Sequence, residues 1–308
     1  MTKLYIFFIS ILVACTLYGQ NNFHDTQGKI EVNAGGQLQY TLPIAVPPGV
    51  KNVSPNISLM YLSNSNNGIA GYGWTVSGLT AITRTSKNIE KDGELKAVQL
   101  DYSDYYSFNG QRLILASDSP VPYGQDGATY VTEKYSSIKI KSLGVYPLSG
   151  NINAGPAEFE VTFEDGSQAW YGAHKPGFRG SHLVTSPSEY NIVKWKDPQG
   201  NYITYDYEYT GYTKTGSIRS EGVGTVRIST ISWGGNETLN KPHFNTINFL
   251  YLDRDLKEQT YIQGLGFTLN KILSEIRVIS NGAQFKKYTI DYIKNGTNYQ
   301  FVNQITEY

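Results

Sequence analysis

The chain has 308 residues, with 26 Lys and Arg against 26 Asp and Glu, and 40 % of it is hydrophobic. That is enough apolar material for one large unit or two ordinary domains, and it argues against wholesale disorder. A zero net charge excludes a general nucleic-acid binder, which needs surplus positive charge to displace counterions from phosphates, and it excludes an acidic solvating tail. Only 17 % of residues are charged, while Tyr (25) and Gly (31) are abundant. Tyr and Thr favour strands, and Gly and Asn favour turns. The composition predicts an all-β, extracytoplasmic protein: a large antiparallel assembly of many short strands and hairpins, shell-like or sandwich-like, with very little helix.

The N-terminus reads as an address. Lys3 precedes an apolar run over 4–14 interrupted only by Ser10, too short for the ~20 residues of a membrane-spanning helix but right for a secretory signal. Two endings compete. Leu12-Val-Ala-Cys15 fits a lipobox, with Cys15 as the acylated first residue and an outer-membrane lipid anchor as the result; alternatively, cleavage follows the small Gly19. The expected organisation is a signal over 1–19, a linker over 20–35 and a β domain over 36–308. No later stretch is long and apolar enough for a transmembrane helix. Cys15 is the single cysteine, so the mature chain is expected to have no disulfide, no cysteine zinc site and no thiol nucleophile.

From residue 37 onward short alternating runs recur between turn signals: 37–43, 56–62, 112–116, 158–163, 202–209, 225–233, 246–252, 271–279 and 285–293. Each is of strand length. Residues 158–163 and 168–171 flank Asp165-Gly166, which predicts a hairpin with a type I′ turn. A second hairpin is predicted around Pro198-Gln-Gly200, with Tyr205, Tyr207 and Tyr209 on one packed face and Thr204, Asp206 and Glu208 on a wet one. The best helical signal is 87–95, which contains Gly93.

The search for chemistry yields little. Gly68, Gly71 and Gly73 are spaced G-x-x-G-x-G, not the G-x-G-x-x-G of a dinucleotide loop, and no helix start follows; they suit tight turns and close packing under Trp74. Ser136-Ser-Ile-Lys139 and Lys214-Thr-Gly216 resemble β-lactamase boxes only superficially. In a strand Ser136 and Lys139 point to opposite faces. His24, His174, His182 and His243 are scattered and form no zinc motif. The closest carboxylate pairs are Asp101/Asp104, Glu158/Glu160 and Asp253/Asp255. A glycosidase needs two carboxylates across a cleft, whereas acids at i and i+2 in a strand are ordinarily its solvent face. Trp74, Trp170 and Trp195 could stack on sugars or peptides, though aromatics in hairpins are more often core. No cofactor and no metal site is expected.

One ordered set of motifs is specific. Residues 42–49 read LPIAVPPG, with Pro43, Pro47, Pro48 and Gly49; residues 54–61 read SPNISLMY; then come Gly68, Gly71, Gly73 and Trp74, and Ile82-Thr-Arg84. This opening resembles the Salmonella virulence plasmid B protein (SpvB) family and the N-terminal part of insecticidal toxin-complex B components, which are associated with Rhs and Tyr-Asp repeats. Asn109-Gly-Gln111-Arg112-Leu113 resembles the family's GQRL strand, and 130–139 its Tyr…Glu…Ile segment. Residues 159–172 resemble its hairpin around Asp165 and Gly166. Asp197-Pro-Gln-Gly200-Asn201, followed by Tyr205 and Tyr207, resembles its D-x-x-GN-x-I-x-Y-x-Y hairpin. Stretches 248–253 and 273–292 resemble its closing strands. The resemblance covers about residues 35–308.

What the resemblance implies is a non-enzymatic structural module. In toxin complexes this region builds part of a β-sheet shell around a toxic segment, and a following propeller docks on the translocating component. In the virulence protein the toxic part is a separate ADP-ribosyltransferase with an R-S-E-x-E arrangement. Here Arg219-Ser-Glu221 lacks the second Glu. Family members usually continue for hundreds of residues, so the expectation is a truncated or split member. It would be exported and associate with a downstream shell polypeptide or with itself. The alternative is a surface-anchored carbohydrate- or protein-binding module, and less favoured is a glycosidase.

Overall fold

The computed structural model of the chain describes residues 26–134, 136–145, 155–172, 185–186, 188–209, 223–263 and 265–308. In chain order the strands are β1 (Lys29–Val32), β2 (Leu38–Pro43), β3 (Ser58–Leu62), β4 (Asn67–Gly68), β5 (Gly71–Tyr72), β6 (Trp74–Ser77), β7 (Ala81–Thr85), β8 (Tyr105–Phe108), β9 (Gln111–Leu115), β10 (Thr129–Thr132) and β11 (Lys139–Leu143). Then come β12 (Glu158–Thr162), β13 (Gln168–Tyr171), β14 (Thr185–Ser186), β15 (Glu189–Lys196), β16 (Asn201–Tyr209), β17 (Val223–Gly224) and β18 (Val226–Asn236). The last four are β19 (Asn245–Ile262), β20 (Leu265–Ser280), β21 (Ala283–Lys294) and β22 (Gln300–Glu307). The protein is all-β, as its composition predicted.

Among the described residues three sheets result. β1-β2-β3-β6 form a four-stranded sheet and β4-β5 a two-stranded one. The third runs β13-β12-β11-β10-β9-β8-β7-β15-β16-β18-β19-β20-β21-β22. Its first eight strands close into a barrel at β15. The N-terminal half of β15 pairs with β7 (Tyr190 opposite Ile82) and its C-terminal half with β13 (Trp195 opposite Ala169). On its other edge the same C-terminal half carries β16 (Trp195 opposite Ile203), and from there the sheet runs outward to β22.

The barrel interior follows from register. Opposed residues on paired strands share a face, and so do residues two apart. Ile140 faces Val161, Val161 faces Ala169, and Ile82 faces Phe108, and all of these are buried. Continuous with this core, Leu59 of the small sheet and Trp233, Ile276 and Tyr288 of the outer sheet form one apolar cluster.

Local chemistry explains the connections. In the first predicted hairpin, Gly166 N–H donates to Phe163 O, and Gly166 alone has positive φ (+80°). The expected type I′ turn is therefore a type I turn with a bulged glycine. Asp165 prefers negative φ because its carboxylate accepts from Ser167 N–H (2.9 Å) and Oγ (2.6 Å). The second hairpin repeats the device: Gly200 N–H donates to Asp197 O, with Gly200 at φ +88°. The two-residue loops with positive φ throughout are Asn109-Gly110 and Asn281-Gly282, which join β8 to β9 and β20 to β21.

The helical signal materialises as one turn, α1 (Ile89–Asp92), with Asn88 Oδ1 accepting from Lys91 N–H and Gly93 ending it at left-handed φ. Lys29–Val32, inside the stretch expected as a linker, forms β1 and pairs with β2. Cys15, His24, His174, His182, Tyr209's side chain and the segments Lys214-Thr-Gly216 and Arg219-Ser-Glu221 lie outside what is described.

Candidate functional site

The motif residues singled out from sequence do not converge on one cleft; they hold strands, turns and loops together. Pro43 ends β2. Pro47, Pro48 and Gly49 lie across the outer sheet. Buried Trp233 donates its Nε1–H to Pro47 O (3.2 Å), and Asn245 reaches Pro48 O (3.5 Å). A side chain on Gly49 would meet the Val53 carbonyl at 2.0 Å.

The glycine-rich stretch is a clasp. Gly68 and Gly71 belong to the β4-β5 hairpin, and Gly73 leads into Trp74. Arg254 of β19, 3 % exposed, donates Nη1–H to Asn67 Oδ1 and Nη2–H to Gly68 O, both at 2.5 Å. Burial lowers its pKa, with Glu258 opposing. Leu273 N–H donates to Ile69 O (2.9 Å), and Tyr292 Oη lies 3.2 Å from Ala70 O. Gly71 has φ +104°, and a Cβ there would stand 2.9 Å from the Tyr292 ring and 3.0 Å from Gln300 O. The glycines serve close approach, and Trp74 packs edge-on to Tyr40 at 5.8 Å.

Arg84 points into the barrel. Its Nη1 is 3.0 Å from Asp104 Oδ2, with the two side chains 1 % and 3 % exposed. Asp104 also accepts from the Gln99 and Leu100 N–H groups, both at 2.7 Å. The guanidinium lies 5.3 Å from the Tyr106 ring. Arg112 forks onto Asp92 (3.1 and 2.5 Å) and lies 3.6 Å over Tyr105, fastening α1 to the barrel wall. Gln111 Oε1 accepts from Lys134 N–H (3.2 Å). Asp165 and Gly166 form the first hairpin turn. In the second, Asp197 accepts from Asn201 N–H (2.8 Å) and Nδ2 (2.7 Å). Tyr205 is buried, and burial raises its pKa.

The carboxylate pairs are spoken for. Asp101 accepts from Ser103, Glu160 from Gln168, Asp253 pairs with Lys271 (2.9 Å) and Asp255 with Lys294 (2.8 Å). Glu189 is pushed upward by burial, with Asn191 opposing; its neighbours across the sheet are Thr83 and Ser186, not a second acid. His243 is held neutral. Burial lowers its pKa to about 4, its Nδ1 accepts from Gly235 N–H (3.2 Å), and its ring lies 4.0 Å from that of Tyr202. Trp170 is shielded by Lys194 and Lys196. Among the described residues no cluster of His, Cys, Asp and Glu could hold a metal, and no helix is long and apolar enough to cross a membrane.

What the molecule does offer is open β edges. The long sheet ends on β22. Tyr308 exchanges both backbone hydrogen bonds with Lys287 (2.8 and 3.0 Å). By alternation, Ile305 and Glu307 turn their N–H and C=O groups away from β21, where no other strand of the described residues pairs with them. A groove beside this strand is lined by Tyr40, Leu42, Trp74 and Ile305. β1 is the edge of the small sheet, with Ile30 70 % and Val32 68 % exposed. Sequence reasoning missed Arg254 and Tyr292, and it singled out Asp104 only as half of a carboxylate pair. The contacts of Arg254 and Tyr292 are 17 to 222 residues away along the chain, so no local signal marked them.

The family described as Salmonella virulence plasmid 65kDa B protein, SpvB, matches residues 32–221. No curated protein sequence matches the chain. Among solved structures, the N-terminal domain of effector protein SpvB from Salmonella typhimurium strain LT2 is similar with TM-score 0.63 and 15 % identity, over 87 % of this chain and 98 % of that one. The TcdB2-TccC3 structure is similar with TM-score 0.66 and 12 % identity, over 92 % of this chain and 16 % of that one. The Photorhabdus luminescens Tc holotoxin pore is similar with TM-score 0.67 and 12 % identity, over 92 % and 15 %. At these identities the likeness is one of fold, and the chain spans less than a fifth of the two toxin chains.

Proposed function

Since the chain belongs to the SpvB family, we propose that it is a non-enzymatic, exported wall module that works by associating with a larger protein partner, as the matching part of the toxin-complex chains is built into a larger body. The observation that carries this reading is the edge of β22, where no strand among the described residues pairs with the outward N–H and C=O groups of Ile305 and Glu307, and Thr26 N–H reaches the Glu307 carboxylate (2.9 Å). Such an edge is a template for another strand. The partnered carboxylates and the neutral, packed His243 support a structural rather than a catalytic role. The apolar run over 4–14 supports export, with Cys15 as the site of an optional lipid anchor and the β domain following the signal.

Light scattering on the purified mature chain, alone and with the polypeptide encoded beside it, tests the reading. The expected result is self-association alone and a defined complex with the companion. Ile305→Pro, which deletes an outward N–H and no bond to β21, should abolish the complex while the chain stays folded. A monomer indifferent to the companion overturns the proposal.

A further inference from the structure

The eight-stranded barrel is closed at one end and open at the other. Near Arg84 the interior is filled by packed rings: Tyr106 and Phe159 at 5.1 Å, Phe159 and Tyr190 at 4.9 Å, Tyr123 and Tyr130 at 5.0 Å. A middle layer follows, with Ile82, Phe108, Val161 and Tyr171 all buried. Beyond it the strands part. Phe163 is two residues past inward Val161, Trp195 sits opposite inward Ala169, and Ile138 is two residues before inward Ile140. These three inward residues are only partly buried, and they line an open depression of about 650 Å³. Ser137, Glu164 and Asp165 stand at its rim.

We propose that this barrel mouth is a binding site for a neutral saccharide, its Trp195 and Phe163 rings taking the apolar face of a sugar and its rim accepting the hydroxyls. Three observations favour that chemistry. The floor is aromatic and aliphatic, as stacking on the C–H face of a pyranose requires. The rim supplies the Ser137 hydroxyl and the Glu164 and Asp165 carboxylates, and Asp165 is kept ionised by its bonds to Ser167. Two carboxylates at the entrance repel phosphates and acidic sugars. The position also fits, because mouths of β-barrels are recurrent ligand sites. The site lies on the barrel, whereas the β22 edge is the far end of the same sheet, so the two readings fail independently.

The test is titration of the mature chain with maltose, cellobiose, lactose and N,N′-diacetylchitobiose, followed by calorimetry and by saturation-transfer NMR, with inorganic phosphate and choline as controls. At least one disaccharide is expected to bind, with no response to phosphate or choline. Trp195→Ala should weaken binding by about tenfold or more. Because that variant removes partly buried surface and could unfold, Glu164→Ala at the exposed rim serves as the second variant and should weaken binding with the unfolding midpoint unchanged. Tyr261→Ala, on the exposed outer hairpin, should leave binding intact. Failure of all four sugars, binding of choline or phosphate instead, or binding unaffected by both mouth variants overturns the proposal.

Discussion

Arg84 and Asp104 show how one residue pair sets a boundary in the fold. Both ends of the pair are buried, and Asp104 collects two backbone N–H groups as well. Removing one partner leaves the other charged and desolvated. Arg84→Met is therefore expected to cost about 3–5 kcal/mol in a urea unfolding curve, whereas loss of an exposed pair such as Lys29–Glu31 should cost about 1 kcal/mol or less. His243 carries a pH dependence. Its folded pKa of about 4 lies below the ordinary 6.5, because burial disfavours the imidazolium. The unfolded chain therefore takes up a proton that the folded one refuses. The contribution is fully present above pH 6.5 and is lost as the pH falls to about 4. Stability measured across this window should decline toward acid, and His243→Gln should flatten that part of the slope. Asp92, Glu237 and Glu307 are held below the carboxylate range, Asp92 chiefly by Arg112 and the others by lysine and hydrogen-bond partners that outweigh burial. They add an acid limb of the same sign below it.

At the scale of elements, turn chemistry decided where sequence inference held. Asn109-Gly110 and Asn281-Gly282 have both residues at positive φ, the type I′ signature. Asp165-Gly166 carries a similar sequence signal but forms a different turn, because Asp165 spends its carboxylate on Ser167. Gly282→Ala is expected to destabilise by about 1 kcal/mol or more, since alanine at positive φ is strained; a shift in thermal midpoint without loss of strand signal in circular dichroism checks it. The strands around 56–62, 202–209 and 271–279 were legible from alternation, and β2, β9 and β12 near their true bounds. The distal half of the β19-β20 hairpin was not. Residues 253–260 read DRDLKEQT, a polar run with no apolar alternation; β20 pairs with 253 and with 258–260 on either side of a bulge. β1 was likewise read as linker, since four mostly exposed residues hold their conformation through β2 alone.

For the whole molecule the governing fact is closure of one end of a long sheet and not the other. β15 serves both: β13 and β7 close the barrel on it, and β16 carries the sheet outward. Among the described residues every barrel strand is paired on both sides, while β22 and β1 are paired on one side only. Exposed apolar residues on an edge promote association. Replacing Ile30 and Val32 with lysine should raise the concentration at which the purified chain stays monodisperse in light scattering, with little change in unfolding midpoint. If instead the midpoint collapses, those side chains pack in the folded chain and the edge is not free.

The sequence by itself determined the all-β class, the hairpins around Asp165-Gly166 and Pro198-Gly200 and the family likeness, because alternation, turn residues and the ordered proline, glycine and aromatic motifs are local and survive reading in one dimension. It also pointed to glycines that pack rather than bind phosphate, since their spacing was wrong for a dinucleotide loop. Tertiary structure alone decided that Arg84 meets Asp104, that Arg254 clamps the Gly68 carbonyl, and that Phe163, Trp195 and Ile138 come together at the barrel mouth. Those contacts depend on strand register and barrel closure, which join residues far apart in the chain, and a one-residue slip in register would turn every one of those side chains to the opposite face.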